Sequence, residues 1–65
     1  MNRDPERLIA ALDQLPMVLR LVYLLSARDD MNYADIAFRL GVSQKEVQAH
    51  LAEALVQLVG LLDDP

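Results

Sequence analysis

Side chains that commonly carry catalysis or bind transition metals are scarce in this sequence. There is one histidine, His50, and no cysteine. A transition-metal site would need several carboxylates converging on His50, so the simpler interpretation places His50 on the flank of a helix. Ser26 and Ser43 have no base nearby in the sequence, and turn or helix-cap chemistry accounts for both. We therefore expect no catalytic residue, no metal and no cofactor, and an enzyme is the least favoured class.

Binding is the remaining kind of function, and the composition limits the partners. The 65 residues allow one domain, residues 1–65, and 54% hydrophobic residues suffice for a modest core. The longest apolar runs, among them Leu21–Leu25, are too short for a membrane span or a signal peptide, so we expect a cytoplasmic protein with no membrane partner. The formal net charge is −4, whereas nucleic-acid-binding domains normally carry a basic excess. This charge argues against simple DNA binding.

The first helix is predicted from its start signal and its leucine spacing. Asp4 can cap free amides, and Pro5 suits the first turn of a helix. Leu8, Leu12 and Leu15 then recur at helical spacing, which indicates one buried stripe. The first helix is therefore expected from Pro5 to about Leu15.

Two further helices follow in the middle of the chain. Pro16 cannot continue the first helix, but it can open a second one that runs to about Ala27. Residues 28–30 then form a turn. Asn32 resembles an N-cap, and the apolar spacing after it predicts a short third helix over Tyr33–Leu40. No strand is expected anywhere.

The connection between the third and fourth helices has the length and glycine of a helix-turn-helix. Gly41 suits the left-handed conformation after a helix end, and Ser43 with Glu46 forms a capping box. The fourth helix therefore begins at Gln44 and runs to Leu61 or Leu62.

The residues around this corner support the same interpretation. Ala37 is small where two helices must cross closely, and Val42 and Val47 are predicted to point into the angle between them. On the local pattern alone, an ordinary helical hairpin with a capped corner stays an alternative.

Several runs of residues resemble region 4, the C-terminal domain, of extracytoplasmic-function sigma factors. They include Leu15-Pro16, Val22–Leu25, the run Tyr33–Ser43 and Ala54-Leu55, and the resemblance covers roughly Ala11–Leu58. His50-Leu51, together with Ala54-Leu55, is most similar to the iron-uptake (ferric-citrate) subgroup. LuxR-type regulators share a similar corner, but the Leu-Pro pair and the start of the long run favour sigma factors.

The resemblance implies an all-α, compact four-helix domain with a helix-turn-helix, similar to a winged helix without the wing. It also implies that the fourth helix enters the major groove of the promoter −35 element while the domain docks on RNA polymerase. With Val47 pointing inward, the candidate base-reading residues are Gln44, Lys45, Gln48, Ala49 and Ala52, and the candidate phosphate contacts are Arg39 and Ser43. A complete sigma factor also has a domain that melts the −10 element, so we expect this chain to be an excised domain or a free-standing fragment.

The charge of the motif departs from the family pattern. Members usually carry several basic residues on the fourth helix, whereas Lys45 is followed here by Gln48, Ala52 and Glu53. Between residues 32 and 55, two basic residues stand against three acidic ones. Two interpretations stay open: promoter binding of weakened affinity, or an acidic protein-interaction or dimerisation module that keeps the scaffold and has lost DNA binding.

The second helix is apolar nearly all round, since Arg20 is the only polar residue from Met17 to Leu25 apart from the hydroxyl of Tyr23. Helical spacing places Leu15, Val18, Val22 and Ser26 on one face and Met17, Leu21 and Leu24 on the opposite one. Both faces cannot turn inward in a small domain. We therefore predict that Met17, Leu21 and Leu24 bind a partner, which is RNA polymerase, a regulatory protein or a second copy. The alternative is that the first and fourth helices cover this face.

Overall fold

The computed structural model describes residues 5–63, which form four helices and no strand. The helices are α1 Pro5–Asp13, α2 Met17–Ala27, α3 Tyr33–Leu40 and α4 Gln44–Leu62. The predicted all-α fold is confirmed. Two details, the Asp4 cap and the tail beyond Asp63, lie outside the described residues. None of the helices within residues 5–63 is both long and apolar enough to cross a membrane.

The junction between α1 and α2 is set by Pro16. α1 ends at Asp13, two residues before the predicted end at Leu15, and the chain tightens there, with the Leu15 amide donating to the Leu12 carbonyl at 3.1 Å. The cause is the proline ring, which disfavours helical geometry at the residue before it. Pro16 itself is extended, and its carbonyl accepts from the Arg20 amide at 3.0 Å, so α2 begins at Met17.

The predicted turn after α2 is confirmed at residues 28–30. The Arg28 amide donates to the Leu24 carbonyl at 2.9 Å, and the Met31 amide donates to the Leu25 carbonyl at 3.0 Å. Asp30 has φ 56°, a left-handed conformation that aspartate tolerates better than most residues. The turn directs the chain into α3.

Two groups of buried side chains hold the helices together. The corner cluster comprises Val22, Leu25, Ile36, Ala37 and Val47. The terminal cluster comprises Ala11, Leu12, Leu15, Leu19, Ala54 and Leu58. Because α2 and α4 contribute to both clusters, these two helices connect the ends of the molecule.

The buried faces of α2 and α4 differ in part from those predicted. Val18 was expected to share a face with Val22, yet it is 40% exposed, and Leu19 is buried in its place. Leu55 continues the helical apolar spacing of Leu51, Leu58 and Leu62 on α4, yet it is 47% exposed. Both side chains lie one position from the residues that face the neighbouring helices, and an apolar helix surface gives no signal of where that boundary falls.

Candidate nucleic-acid interface

The ends of α3 are fixed by local hydrogen bonds. The Asp35 amide donates to Oδ1 of Asn32 at 2.8 Å, which starts the helix at Tyr33. Gly41 has φ 71° and ψ 34°, and its amide donates to the Ala37 carbonyl. This left-handed glycine ends α3 at Leu40 and turns the chain towards α4.

A complete capping box starts α4. The Glu46 amide donates to Oγ of Ser43 at 3.0 Å, and the Ser43 amide donates to Oε1 of Glu46 at 3.1 Å. The Ser43 hydroxyl also donates to that carboxylate oxygen at 3.2 Å. The hydroxyl is therefore engaged as both donor and acceptor, so the predicted phosphate contact of Ser43 would require this box to open.

The angle between α3 and α4 is fixed from inside. Ile36, Val47 and Val22 are fully buried, and they bring α3, α4 and α2 together. Ala37 is also buried, and Val42 is half-buried against the same cluster, as predicted. A change in the angle would open this packing, so α4 is held rigidly at its N-terminal half.

The candidate reading residues Lys45, Gln48, Ala49 and Ala52 face away from Val47, and Gln44 is the first residue of α4. Gln44, Lys45, Gln48, Ala49 and Ala52 are all exposed, as their helical spacing predicts. Arg39 is exposed in the last turn of α3, beside the same corner. The structure thus brings the predicted residues to one surface of a helix-turn-helix.

The basic groups divide into two kinds. Arg20 lies 3.4 Å from Asp13, Arg28 lies 3.2 Å from Asp29, and Arg7 donates to the Leu62 carbonyl at 2.9 Å. Arg39 and Lys45, by contrast, form no ion pair or side-chain hydrogen bond with any residue of 5–63. The two cations nearest the candidate interface are therefore available for phosphate oxygens.

Acidic side chains flank the same surface. Asp35, Glu46 and Glu53 are exposed, and the Glu53 carboxylate accepts from Nε2 of Gln57 at 2.9 Å. A DNA backbone approaching Lys45 would also approach Glu53, which lies eight residues further along α4. This repulsion reduces the attraction that two cations can supply.

The predicted partner residues on α2 do not form one uniform surface. Met17 is 72% exposed and Leu21 is 40% exposed. Leu24 is half-buried and packs against the terminal cluster, so it does not belong to the exposed surface. Val18, which is 40% exposed, lies at the edge of that surface instead.

Three of the four most exposed large apolar residues were not singled out from the sequence. Phe38 on α3 is 90% exposed, and Val56 and Val59 on α4 are 67% and 64% exposed. A signal was present for α4, because apolar residues continue all round the helix after Ala54 and one of its sides must face solvent. The only sequence signal for the exposure of Phe38 was its position outside the buried stripe of α3.

No group of three or more metal-binding side chains occurs within residues 5–63. His50 is half-buried on α4. Together, the four helices, the capped corner and the exposed face of α4 define a helix-turn-helix protein.

Comparison with known families assigns the chain more closely. The sequence profile "Sigma-70, region 4" matches residues 6–58, which is most of the chain. The protein therefore belongs to the sigma-70 region 4 family, whose domains are transcription-related helix-turn-helix modules. No curated protein and no solved structure matches the chain.

Proposed function

We propose that this chain is a promoter-reading module that works in the cytoplasm with RNA polymerase and has weak autonomous affinity for DNA. α4 enters the major groove of −35-type DNA, with Gln44, Lys45, Gln48 and Ala49 towards the bases and Arg39 towards phosphate. The extracytoplasmic-function type and its iron-uptake subgroup belong to this proposal. The observation that carries it is the exposed face of α4 beside Arg39 and Lys45, which pair with no residue of 5–63, held by a fully buried corner.

The chemistry of these side chains sets what α4 can recognise. Glutamine can form a bidentate pair with adenine, and lysine can reach the acceptors of guanine. Two side chains of this kind give limited discrimination between sequences. Polymerase docking would then supply much of the specificity, since it raises the local concentration of the module at the promoter. The role is one of binding, and we propose no reaction.

A DNA titration at two salt concentrations tests this proposal. With Arg39 on phosphate and the charge of Lys45 in the groove close to the phosphates, two cations displace counterions, so the slope of log K against log salt should be about −2. Lys45→Ala should reduce the slope by about one. Arg20→Gln is the matched control: it removes the same charge from an ion pair in α2, outside the corner, and should leave binding nearly unchanged.

Two results would contradict the proposal in different ways. Nanomolar, sequence-specific binding by the isolated domain at physiological salt would mean that the affinity is not weakened. Binding that Lys45→Ala and Arg20→Gln reduce equally would mean that α4 has no special role.

A second function is supported by the exposed apolar surface of α2. In this alternative the domain is an acidic protein-interaction or dimerisation module that has lost DNA binding. Met17, Val18 and Leu21 then bind a regulatory protein, a polymerase segment or a second copy. Three side chains of this size are enough for a weak interaction site on a small domain.

Substitutions on α2 test this alternative. Leu21→Glu and Met17→Glu should both abolish association with a partner while leaving helicity intact, because each adds a charge to the apolar surface. Ala27→Glu is the matched control, with the same charge on an exposed position of the same helix. If Met17→Glu and Ala27→Glu behave alike, α2 carries no docking surface.

A further inference from the structure

The side of α4 that faces away from the core has a regular pattern along its whole length. Alternating steps of four and three residues define an outer seam of Lys45, Ala49, Ala52, Val56, Val59 and Asp63, all exposed. The buried residues Val47, Ala54 and Leu58 lie on the opposite side of the helix. Steps of four and three are the spacing at which one helix packs along another in a coiled coil.

We propose that the outer seam pairs with the outer seam of a second copy, antiparallel and about a twofold axis level with residue 54. In this register Lys45 lies opposite Asp63 of the second copy, Ala49 opposite Val59, and Ala52 opposite Val56. Each contact occurs twice, because a twofold interface uses the same surface on both copies. The seam spans about 27 Å of helix, which allows six successive layers of contact.

Side-chain size favours this register. Between its charged ends, the seam places Ala49 and Ala52 in its first half and Val56 and Val59 in its second half. An antiparallel arrangement sets every alanine against a valine, so each layer has nearly the same volume and the two helices can stay at an even distance. A parallel arrangement would set alanine against alanine and valine against valine, which leaves gaps at one end.

Charge favours the same register. Lys45 and Asp63 stand at opposite ends of the seam, and neither forms an ion pair within residues 5–63. Antiparallel pairing brings the two together at both ends of the interface. A parallel pairing would place lysine beside lysine and aspartate beside aspartate. Electrostatic complementarity therefore selects the direction of the partner helix.

The residues on the two flanks of the outer seam have opposite effects on association. Leu55, 47% exposed, lies beside the seam near the axis, where it would meet Leu55 of the second copy. Glu53 lies on the other side and would approach Glu53 of the second copy. Each copy also carries a net charge of −4. One helix face on each copy makes a small interface, so the dimer is weak and forms at high concentration.

Self-association through this seam would cover Lys45, Ala49 and Ala52, three of the candidate base-reading residues. Dimerisation and DNA binding then exclude each other, and a rising concentration of the domain would limit its own access to DNA. This consequence rests on the proposed function, whereas the dimer itself does not.

Charge exchange at the ends of the seam tests the pairing in the absence of DNA. Lys45→Glu and Asp63→Lys should each weaken the dimer roughly tenfold in sedimentation equilibrium, since two pairs change from attraction to repulsion. The double variant should restore the wild-type dissociation constant. Arg39→Glu is the matched control: it makes the same change in net charge outside the seam and should have only a small effect.

Cysteine cross-linking tests the direction and the register, and the sequence has no cysteine of its own. Ala49→Cys chains mixed with Val59→Cys chains should form a disulfide across the interface. Either variant alone should not, because in the antiparallel register identical positions lie about 15 Å apart along the axis.

Several outcomes would overturn the inference. They are a wild-type chain that stays monomeric at millimolar concentration, a double charge variant no tighter than the single ones, and cross-linking of Ala49→Cys chains with each other. Dimerisation abolished by Leu21→Glu but not by Val56→Glu would assign the dimer to α2.

The consequence for DNA has its own test. Val56→Gln should weaken the dimer without changing a reading residue or the charge beside the reading face, so it should bind DNA like the wild type in dilute solution and better at high concentration. If neither protein binds DNA, the proposed function fails while the dimer stands. Equal binding at high concentration, with a wild type that dimerises, would contradict only the mutual exclusion.

Discussion

The two halves of α4 are stabilised in different ways. The N-terminal half packs in the corner cluster, where three side chains are completely buried and a capping box fixes the helix start. The C-terminal half packs in the terminal cluster, and it leaves Leu55, Val56 and Val59 exposed on its outer side. The first half is thus complete by itself, whereas the second has apolar surface that only another molecule can cover. The rigid N-terminal half of α4 thus carries the candidate reading residues, and the C-terminal half carries apolar side chains that can contact another molecule.

Ile36→Ala should have the largest effect, because it removes most of a side chain from the centre of the corner cluster. Ile36 is fully buried, and its truncation should lower the free energy of unfolding by about 3 kcal/mol. A 65-residue protein has a total of roughly 3–10 kcal/mol, so the variant should be near its unfolding limit. Urea unfolding followed by far-UV circular dichroism measures the change.

Phe38→Ala is the matched control on the same helix. Phe38 is 90% exposed, so its truncation should change the free energy of unfolding by no more than about 0.5 kcal/mol. Comparable losses of unfolding free energy in Ile36→Ala and Phe38→Ala would mean that Phe38 is buried and not exposed.

Gly41→Val should have the next largest effect. A Cβ at Gly41 would meet no atom within 4 Å, so the cost comes from the backbone, whose φ of 71° is unfavourable for a β-branched residue. We expect a loss of about 2 kcal/mol in thermal or urea unfolding, with a less rigid corner.

Gly60 gives the opposite expectation within the same protein. It lies in the helical interior of α4, and a Cβ there also meets nothing within 4 Å. Gly60→Ala should therefore raise stability by about 0.5–1 kcal/mol.

Backbone chemical shifts that place Gly41 inside a continuous helix would refute the corner altogether.

Glu53→Lys should have the smallest effect, and it bears on binding rather than on stability. Glu53 is exposed beside the reading face, so reversing its charge should tighten DNA binding severalfold at low salt. The gain should shrink as salt rises from about 50 mM to 200 mM. Fluorescence anisotropy with a short duplex measures it. An unchanged affinity at low salt would place Glu53 away from the DNA.

Much of the fold could be predicted because its signals are local. Asn32, Gly41, and the Ser43 and Glu46 pair act within a few residues of their own positions, and they fix the bounds of α3 and the start of α4. The end of α1 was less accurate, because Pro16 affects the preceding residue as well as its own.

Which candidate reading residues face outward could likewise be predicted from local signals. The outward positions of Lys45 and Gln48 follow from the period of the helix once Val47 is known to be buried. The sequence did not predict that the Ser43 hydroxyl both donates and accepts within the capping box. A cap hydroxyl can also donate to an outside group, and only the positions of the atoms decide between the two.

The sequence by itself determined the four helices, the corner between α3 and α4, and the polar face of the fourth helix. Only the tertiary structure decided which apolar side chains are buried. Leu19 is buried and Val18 is not, Leu24 is half-buried, and Val56 and Val59 are exposed. The physical reason is that capping and helical period act within one turn of chain. A helix that is apolar nearly all round has no preferred inner face until its neighbours cover one side of it.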